Sequence, residues 1–180
     1  GAEVTVVSGP VHLALPTPPY TIVPVTSARE MCEAAKAAWK TADAAILCAA
    51  VADFAPDTTA EQKIKKQPGQ TGLQLNLITN PDIAATLGST KRPEQCLIGF
   101  ALETHDAEQN ALHKLESKNL DMIVLNSLQD KGAGFGCDTN KVTLILRDGQ
   151  KNNLPLMSKQ EVAQKIVDLF PYFFRKPNMP

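Results

Sequence analysis

The chain has 180 residues, 43% apolar and 21% charged, which suits one α/β domain with a sizeable core and excludes a disordered segment. A net charge of −1 excludes a generic nucleic-acid binder, which needs a strong basic excess, so any anion site must be local. No apolar run reaches the roughly 18 residues of a membrane helix, so neither a membrane nor a nucleic acid is an expected partner.

Gly1-Ala2-Glu3 enters an apolar strand over residues 4–7 without an initiator methionine. Glycine is typical just past a helix C-terminus, so the chain is expected to be cut from something longer. The proline-rich stretch that follows (Pro10, Pro16, Pro18, Pro19, Pro24) reads as an irregular connection. Ser27-Ala28-Arg29-Glu30 is a capping box, and Met31, Ala35, Ala38 and Trp39 recur at helical spacing behind it. Residues 44–50 predict a buried strand that ends abruptly in Val51-Ala52-Asp53-Phe54. Residues 52–72 are polar and aperiodic, a loop long enough to be functional.

Leu73, Leu75 and Leu77 alternate with polar residues and predict a half-buried strand. In Asn80-Pro81-Asp82 an N-cap residue and a proline at the first helical position predict a short helix. Residues 96–101 form another buried strand, Asp106-x-x-Gln109 opens a helix reaching about Lys118, and residues 122–125 are a strand. Asp148-Gly149 sets a hairpin between residues 141–146 and 153–156, and Ser158-x-x-Glu161 caps a last helix. The four cysteines, Cys32, Cys48, Cys96 and Cys137, lack a CxxC pattern and fit a reduced, cytoplasmic protein, with Cys48 and Cys96 in the core. Strands separated by helices predict an α/β fold: a Rossmann-like, mostly parallel sheet with helices on both faces and an antiparallel hairpin appendage. Residues 1–170 read as one domain and 171–180 as a tail without an assigned role.

In such a sheet, ligands bind at the carboxyl ends of strands. Asp53 stands at such an end, where it can hold Mg²⁺ or cap its loop. Lys63-Ile64-Lys65-Lys66 follows in the long loop, either as a solvated charge run or as a lysine that closes over phosphates. Lys114 and Lys118 share a helical face and can converge on one anion, although cations near a helix C-terminus are common for their own reason. Phe54 and Phe100 can flank a base or fill the core. Gly132-Ala133-Gly134-Phe135-Gly136 imitates a dinucleotide fingerprint but precedes a strand instead of a helix, and His12, His105 and His113 have neither metal-ligand nor triad spacing.

Taken together, Ala49-Ala50-Val51-Ala52-Asp53-Phe54, Lys63-Ile64-Lys65-Lys66, Asn80-Pro81-Asp82-Ile83, Gly99-Phe100-Ala101-x-Glu103-Thr104 and Lys114-x-x-x-Lys118-Asn119-x-Asp121 resemble one family. It is phosphopantothenoylcysteine synthetase, the synthetase half of the bacterial bifunctional coenzyme A biosynthesis protein. The resemblance implies a ligase that joins 4′-phosphopantothenate to L-cysteine, with CTP as co-substrate and an acyl-cytidylate intermediate. It implies that Leu47, Cys48 and Ala49 supply backbone for the cytosine and that Asp53 serves the nucleotide and its Mg²⁺. Pro81, Asp82, Ile83, Ala84 and Phe100 would complete the nucleotide pocket, Lys114 and Lys118 would grip the triphosphate, and Lys63 would be the catalytic loop lysine.

Members of that family begin with a further strand, a glycine-rich turn and a helix, so the chain is expected to be N-terminally incomplete. FMN belongs only to a decarboxylase half absent from this chain. A homodimer is also implied, with the hairpin as a docking element, and a hairpin-broken variant that sediments as a dimer would refute that assignment. Two alternatives compete: an NAD(P)-binding Rossmann oxidoreductase, which shares the alternation but needs a glycine fingerprint, and a non-catalytic nucleotide-binding domain.

Overall fold

The computed structural model describes residues 1–11, 19–127 and 136–174. In chain order the elements are β1 (Thr5–Ser8), β2 (Thr21–Pro24), α1 (Ala28–Trp39), β3 (Ala44–Leu47), β4 (Phe54–Pro56), β5 (Leu77–Thr79), α2 (Ile83–Ser89) and β6 (Cys96–Glu103). There follow α3 (Ala107–Ser117), β7 (Met122–Ser127), β8 (Thr139–Asn140), β9 (Val142–Leu146), β10 (Lys151–Asn153), β11 (Met157–Ser158), α4 (Lys159–Val167) and α5 (Phe170–Phe173). The chain divides into two units, one made of Gly1–Ala34 and Ala49–Asp82, the other of Ala35–Cys48 and everything from Ile83 onward.

The second unit is built on a five-stranded sheet in the order β10-β9-β7-β6-β3. β3, β6 and β7 run parallel, and β9 and β10 join them antiparallel. The α/β sheet and its hairpin are therefore present, and β9 lies inside the sheet between β7 and β10. Because side chains alternate across a strand, each central strand is apolar on both faces. Cys96, Ile98, Met122, Val124, Val142, Leu144 and Leu146 meet Leu154 and, from α4, Val162 and Ile166. Leu97, Ile123 and Ile145 are buried on the opposite face, where α3 packs on β6 and β7. Helices thus cover both faces.

Local chemistry sets the element ends. Ser158 and Glu161 exchange hydrogen bonds in the expected capping box at the start of α4. α3 ends in a Schellman turn: Leu120 N–H donates to Leu115 C=O and Asn119 N–H to Glu116 C=O, with Asn119 at φ +53°. Asparagine tolerates that left-handed conformation, and its side chain is used twice more, donating to Gly88 C=O and accepting from Arg147. Asp121 then accepts from Leu97 N–H and pairs with Lys91 at 2.6 Å, clamping the start of β6 to that of β7. Burial next to the Asp121 carboxylate pushes the Cys96 thiol up to about 12, so Cys96 is an inert core residue.

The first unit is leaner. β1 and β2 form a parallel pair from Thr5↔Thr21 to Ser8↔Pro24, and β4 and β5 an antiparallel one. Ser27 and Glu30 form the predicted capping box of α1, reinforced by Thr26.

Several expectations need correction. β2 lies within the proline-rich connection; Pro24 ends the strand, where a missing N–H is harmless. The strand predicted over residues 44–50 stops at Leu47 and is the edge of its sheet, so Ile46 is 41% exposed and Cys48 is exposed, not core. Leu73 and Leu75 are exposed and lie outside any strand, because β5 begins only at Leu77 and only the pair β4–β5 supports it. α2 starts at Ile83, after Pro81 and Asp82, since Asn80 spends its side chain elsewhere. Asp106 precedes α3 at φ +47° and makes no side-chain cap. The second hairpin strand is Lys151–Asn153, earlier than predicted. Pro171 stands in the first turn of α5, whose Phe170 and Phe173 pack on the core while Tyr172 donates to Asp148. Most of the rejected glycine run, Gly132 to Phe135, and His12 lie outside the described residues.

Candidate functional site

The carboxyl end of β3 lies beside the middle of β6 in the second unit. Leu47, the last residue of β3, pairs with Gly99, so Cys48 follows the end of β3 where Phe100 continues β6. Leu47 is half-buried and Cys48 exposed, while Phe100 packs against the core from the α4 side. Its ring is thus anchored by the core. Ile83, buried, and Ala84, half-buried, open the first turn of α2.

Lys114 is carried by α3, and its ammonium reaches the end of β6. There it pairs with Glu103 at 2.5 Å; the two side chains are 39% and 13% exposed. Lys118, one turn on, caps the C-terminal end of α3: its N–H bonds to Lys114 C=O, and its own carbonyl lies close against Gly88. Lys114 lies in the last turn of α3 and Lys118 is its C-cap residue, and the Lys114 ammonium is placed at the strand end.

In the first unit Asp53 is exposed, and its position is set through the backbone. Asn80 N–H donates to Asp53 C=O at 2.8 Å, and the Asn80 side chain donates to Ala52 C=O at 2.9 Å. With Phe54 paired to Thr79, these bonds bring Asp53 beside the Asn80-Pro81-Asp82 turn. Asn80 therefore acts as a tie between two expected site segments, a use that its helix-capping propensity does not reveal. Ala49 is exposed, Pro81 half-buried and Asp82 exposed. Lys63 is exposed in a stretch without regular structure, and Phe54 is exposed as well. A separate local turn follows Lys63, where Gln67 and Gln70 bond to each other around Gly69 at φ +80°.

Among the described residues no group of three or more His, Cys, Asp or Glu side chains is placed to hold a metal. A lone exposed Asp53 fits an ion that arrives on substrate oxygens, because Mg²⁺ is commonly bound through one or two carboxylates plus phosphates. Glu103, the partner of Lys114, is not among the site residues expected from the sequence. Its only sequence signal is an acid at the end of a buried strand, facing a helix with a lysine eleven residues on. No helix among the described residues is long and apolar enough to cross a membrane.

Residues 1–171 match the DNA/pantothenate metabolism flavoprotein C-terminal domain. Over 167 residues the chain is 50% identical to a protein named cysteine/cysteine sulfinic acid decarboxylase from an unknown prokaryotic organism, covering 93% of this chain and 46% of that protein. It is 47% identical to the coenzyme A biosynthesis bifunctional protein CoaBC of Bacillus subtilis (strain 168), covering 93% and 40%. The chain thus spans less than half the length of these curated relatives. A solved structure, the C-terminal domain of coenzyme A biosynthesis bifunctional protein CoaBC, superposes with a TM-score of 0.77 at 40% identity, covering 96% of this chain and 76% of that one.

Proposed function

This chain belongs to the DNA/pantothenate metabolism flavoprotein C-terminal domain family, and we propose that it performs the cytoplasmic ligation of 4′-phosphopantothenate with L-cysteine at the expense of CTP. The observation that supports this most is the Lys114 ammonium fixed at Glu103, the carboxyl end of β6, three strand positions past Phe100. A cation held at a strand end suits a polyphosphate.

In this reaction the phosphopantothenate carboxylate attacks the α-phosphorus of CTP. A P–O bond forms, pyrophosphate leaves, and an acyl-cytidylate results. The cysteine amine then attacks the acyl carbon, CMP leaves with the C–O electron pair, and the amine loses a proton as the amide forms. Such chemistry asks a protein mainly to position reactants and disperse charge. Lys114 and Lys118 would bind the phosphate oxygens, and Lys63 would offset the negative charge that builds at the α-phosphate. The backbone of Leu47, Cys48 and Ala49 would face the base, with Pro81, Asp82, Ile83, Ala84 and Phe100 lining the nucleotide. Asp53 would hold Mg²⁺, which supplies charge neutralisation on the phosphates. A homodimer, read by sedimentation, belongs to the same proposal.

Calorimetry with CTP, ATP and NADPH in the presence of Mg²⁺ tests it. CTP-selective binding is expected, weakened about a hundredfold in Lys114→Ala/Lys118→Ala, since two charge-assisted contacts are removed. NADPH binding in place of CTP, or CTP binding that ignores both lysines, would contradict the proposal.

A further inference from the structure

We infer that Glu103 is a positioning residue that holds Lys114 ready for an anionic ligand; the inference rests on the nucleotide reading above. Glu103 is the last residue of β6, and its two carboxylate oxygens have separate donors on α3. One accepts from Lys114 at 2.5 Å, the other from Asn110 at 3.3 Å, and the Asn110 amide also donates to His105 C=O at 3.0 Å. Asn110 and Lys114 are four residues apart and so share a helical face. The carboxylate is largely shielded from solvent, whereas the lysine side chain is more open.

Four rotatable bonds make a free lysine costly to order when a ligand arrives. Here Glu103 has already met that cost. An ammonium has three donors, and Glu103 engages one oxygen with it, leaving others for phosphate oxygens. The carboxylate charge also opposes an incoming anion, so Glu103 can only help if the gain from fixing the lysine exceeds that repulsion. The geometry favours the gain: the carboxylate is held from the sheet side of Lys114, anchored by Asn110, while the exposed part of the lysine remains available.

The test uses the 180-residue chain with two probes, CTP and inorganic tripolyphosphate, so that anion binding is read apart from base recognition. Glu103→Ala is expected to weaken tripolyphosphate about tenfold, and Glu103→Gln, which keeps an acceptor for Lys114, to restore most of that loss. In a Lys114→Ala background, Glu103→Ala should change nothing further, a non-additivity that a merely structural role would not give. Urea midpoints confirm that each variant is folded. Glu103→Ala binding tripolyphosphate as tightly as the unaltered chain, a loss that persists undiminished without Lys114, or an unaltered chain that binds no tripolyphosphate would each overturn the inference. A chain that shows the tripolyphosphate pattern but does not select CTP would support Glu103's role and sink the nucleotide assignment alone.

Discussion

The two units of this chain differ in how completely they bury their apolar residues. In the second unit β6, β7 and β9 carry residues of near-zero exposure on both faces, and α3 and α4 close those faces. In the first unit, with its two-stranded sheets, Val4, Ile22, Phe54, Leu75 and Leu77 are exposed, and among the described residues only Val25 and Cys32 are buried. A strand contributes to a core when it is flanked by other strands and covered, and a lone pair of strands cannot achieve that. Functional expectations divide in the same way. Lys114 sits on a rigid frame and has a defined partner, whereas Lys63 sits in a stretch whose order is only local.

The largest expected effect comes from truncating a buried strand residue. Leu144→Ala, at 0% exposure, should cost about 2–5 kcal/mol in urea unfolding, whereas Leu75→Ala in the first unit, at 58%, should change stability by no more than about 0.5 kcal/mol. Equal costs would mean that the leaner unit is packed in solution.

A smaller contrast uses glycine. A Cβ on Gly88 would lie 1.9 Å from Lys118 C=O, so Gly88→Ala should destabilise by about 1–3 kcal/mol and disturb the end of α3. Gly72 meets nothing within 4 Å, and Gly72→Ala should be nearly neutral or slightly stabilising by the same urea measurement. A neutral Gly88→Ala would break the close approach of α2 to α3.

The smallest effect should be alike in both units. Hydrogen bonds from Thr26 hold Glu30 below the usual carboxylate range, and hydrogen bonds from Ser158 do the same for Glu161. A folded-state pKa below the unfolded one gives stability that is present above about pH 4.5 and is lost as pH falls through the lowered folded value. Urea midpoints should therefore decline slightly below pH 4.5, and Glu30→Gln and Glu161→Gln should each flatten that decline. An unchanged acid profile in both variants would remove the capping boxes from the account.

What was legible in the sequence follows from the range of the forces involved. Capping boxes at Ser27 and Ser158, the Asp148-Gly149 hairpin, the buried strand at residues 96–101 and the last helix depend on neighbours a few residues away. The motifs also carried the family, and with it the expected roles of Asp53, Lys63 and Lys114. The apolar pattern misjudged the length and burial of the strand through Ile46 and the order of the alternating leucines at 73 and 75. An apolar run records a propensity to be covered, whereas burial depends on which strands lie alongside. Helix propensity likewise suggested Asn80 and Asp106 as caps, while the folded chain ties Asn80 to Ala52 and turns Asp106 left-handed.

By itself, then, the sequence determined the α/β alternation, the short-range caps and turns, and the residues from which a phosphate site can be drawn. Only the tertiary structure decided which apolar runs are core, that Asn80 orders the Asp53 segment, and that Glu103 meets Lys114. Those outcomes need residues far apart in the chain to arrive at one place, and no local pattern encodes that meeting.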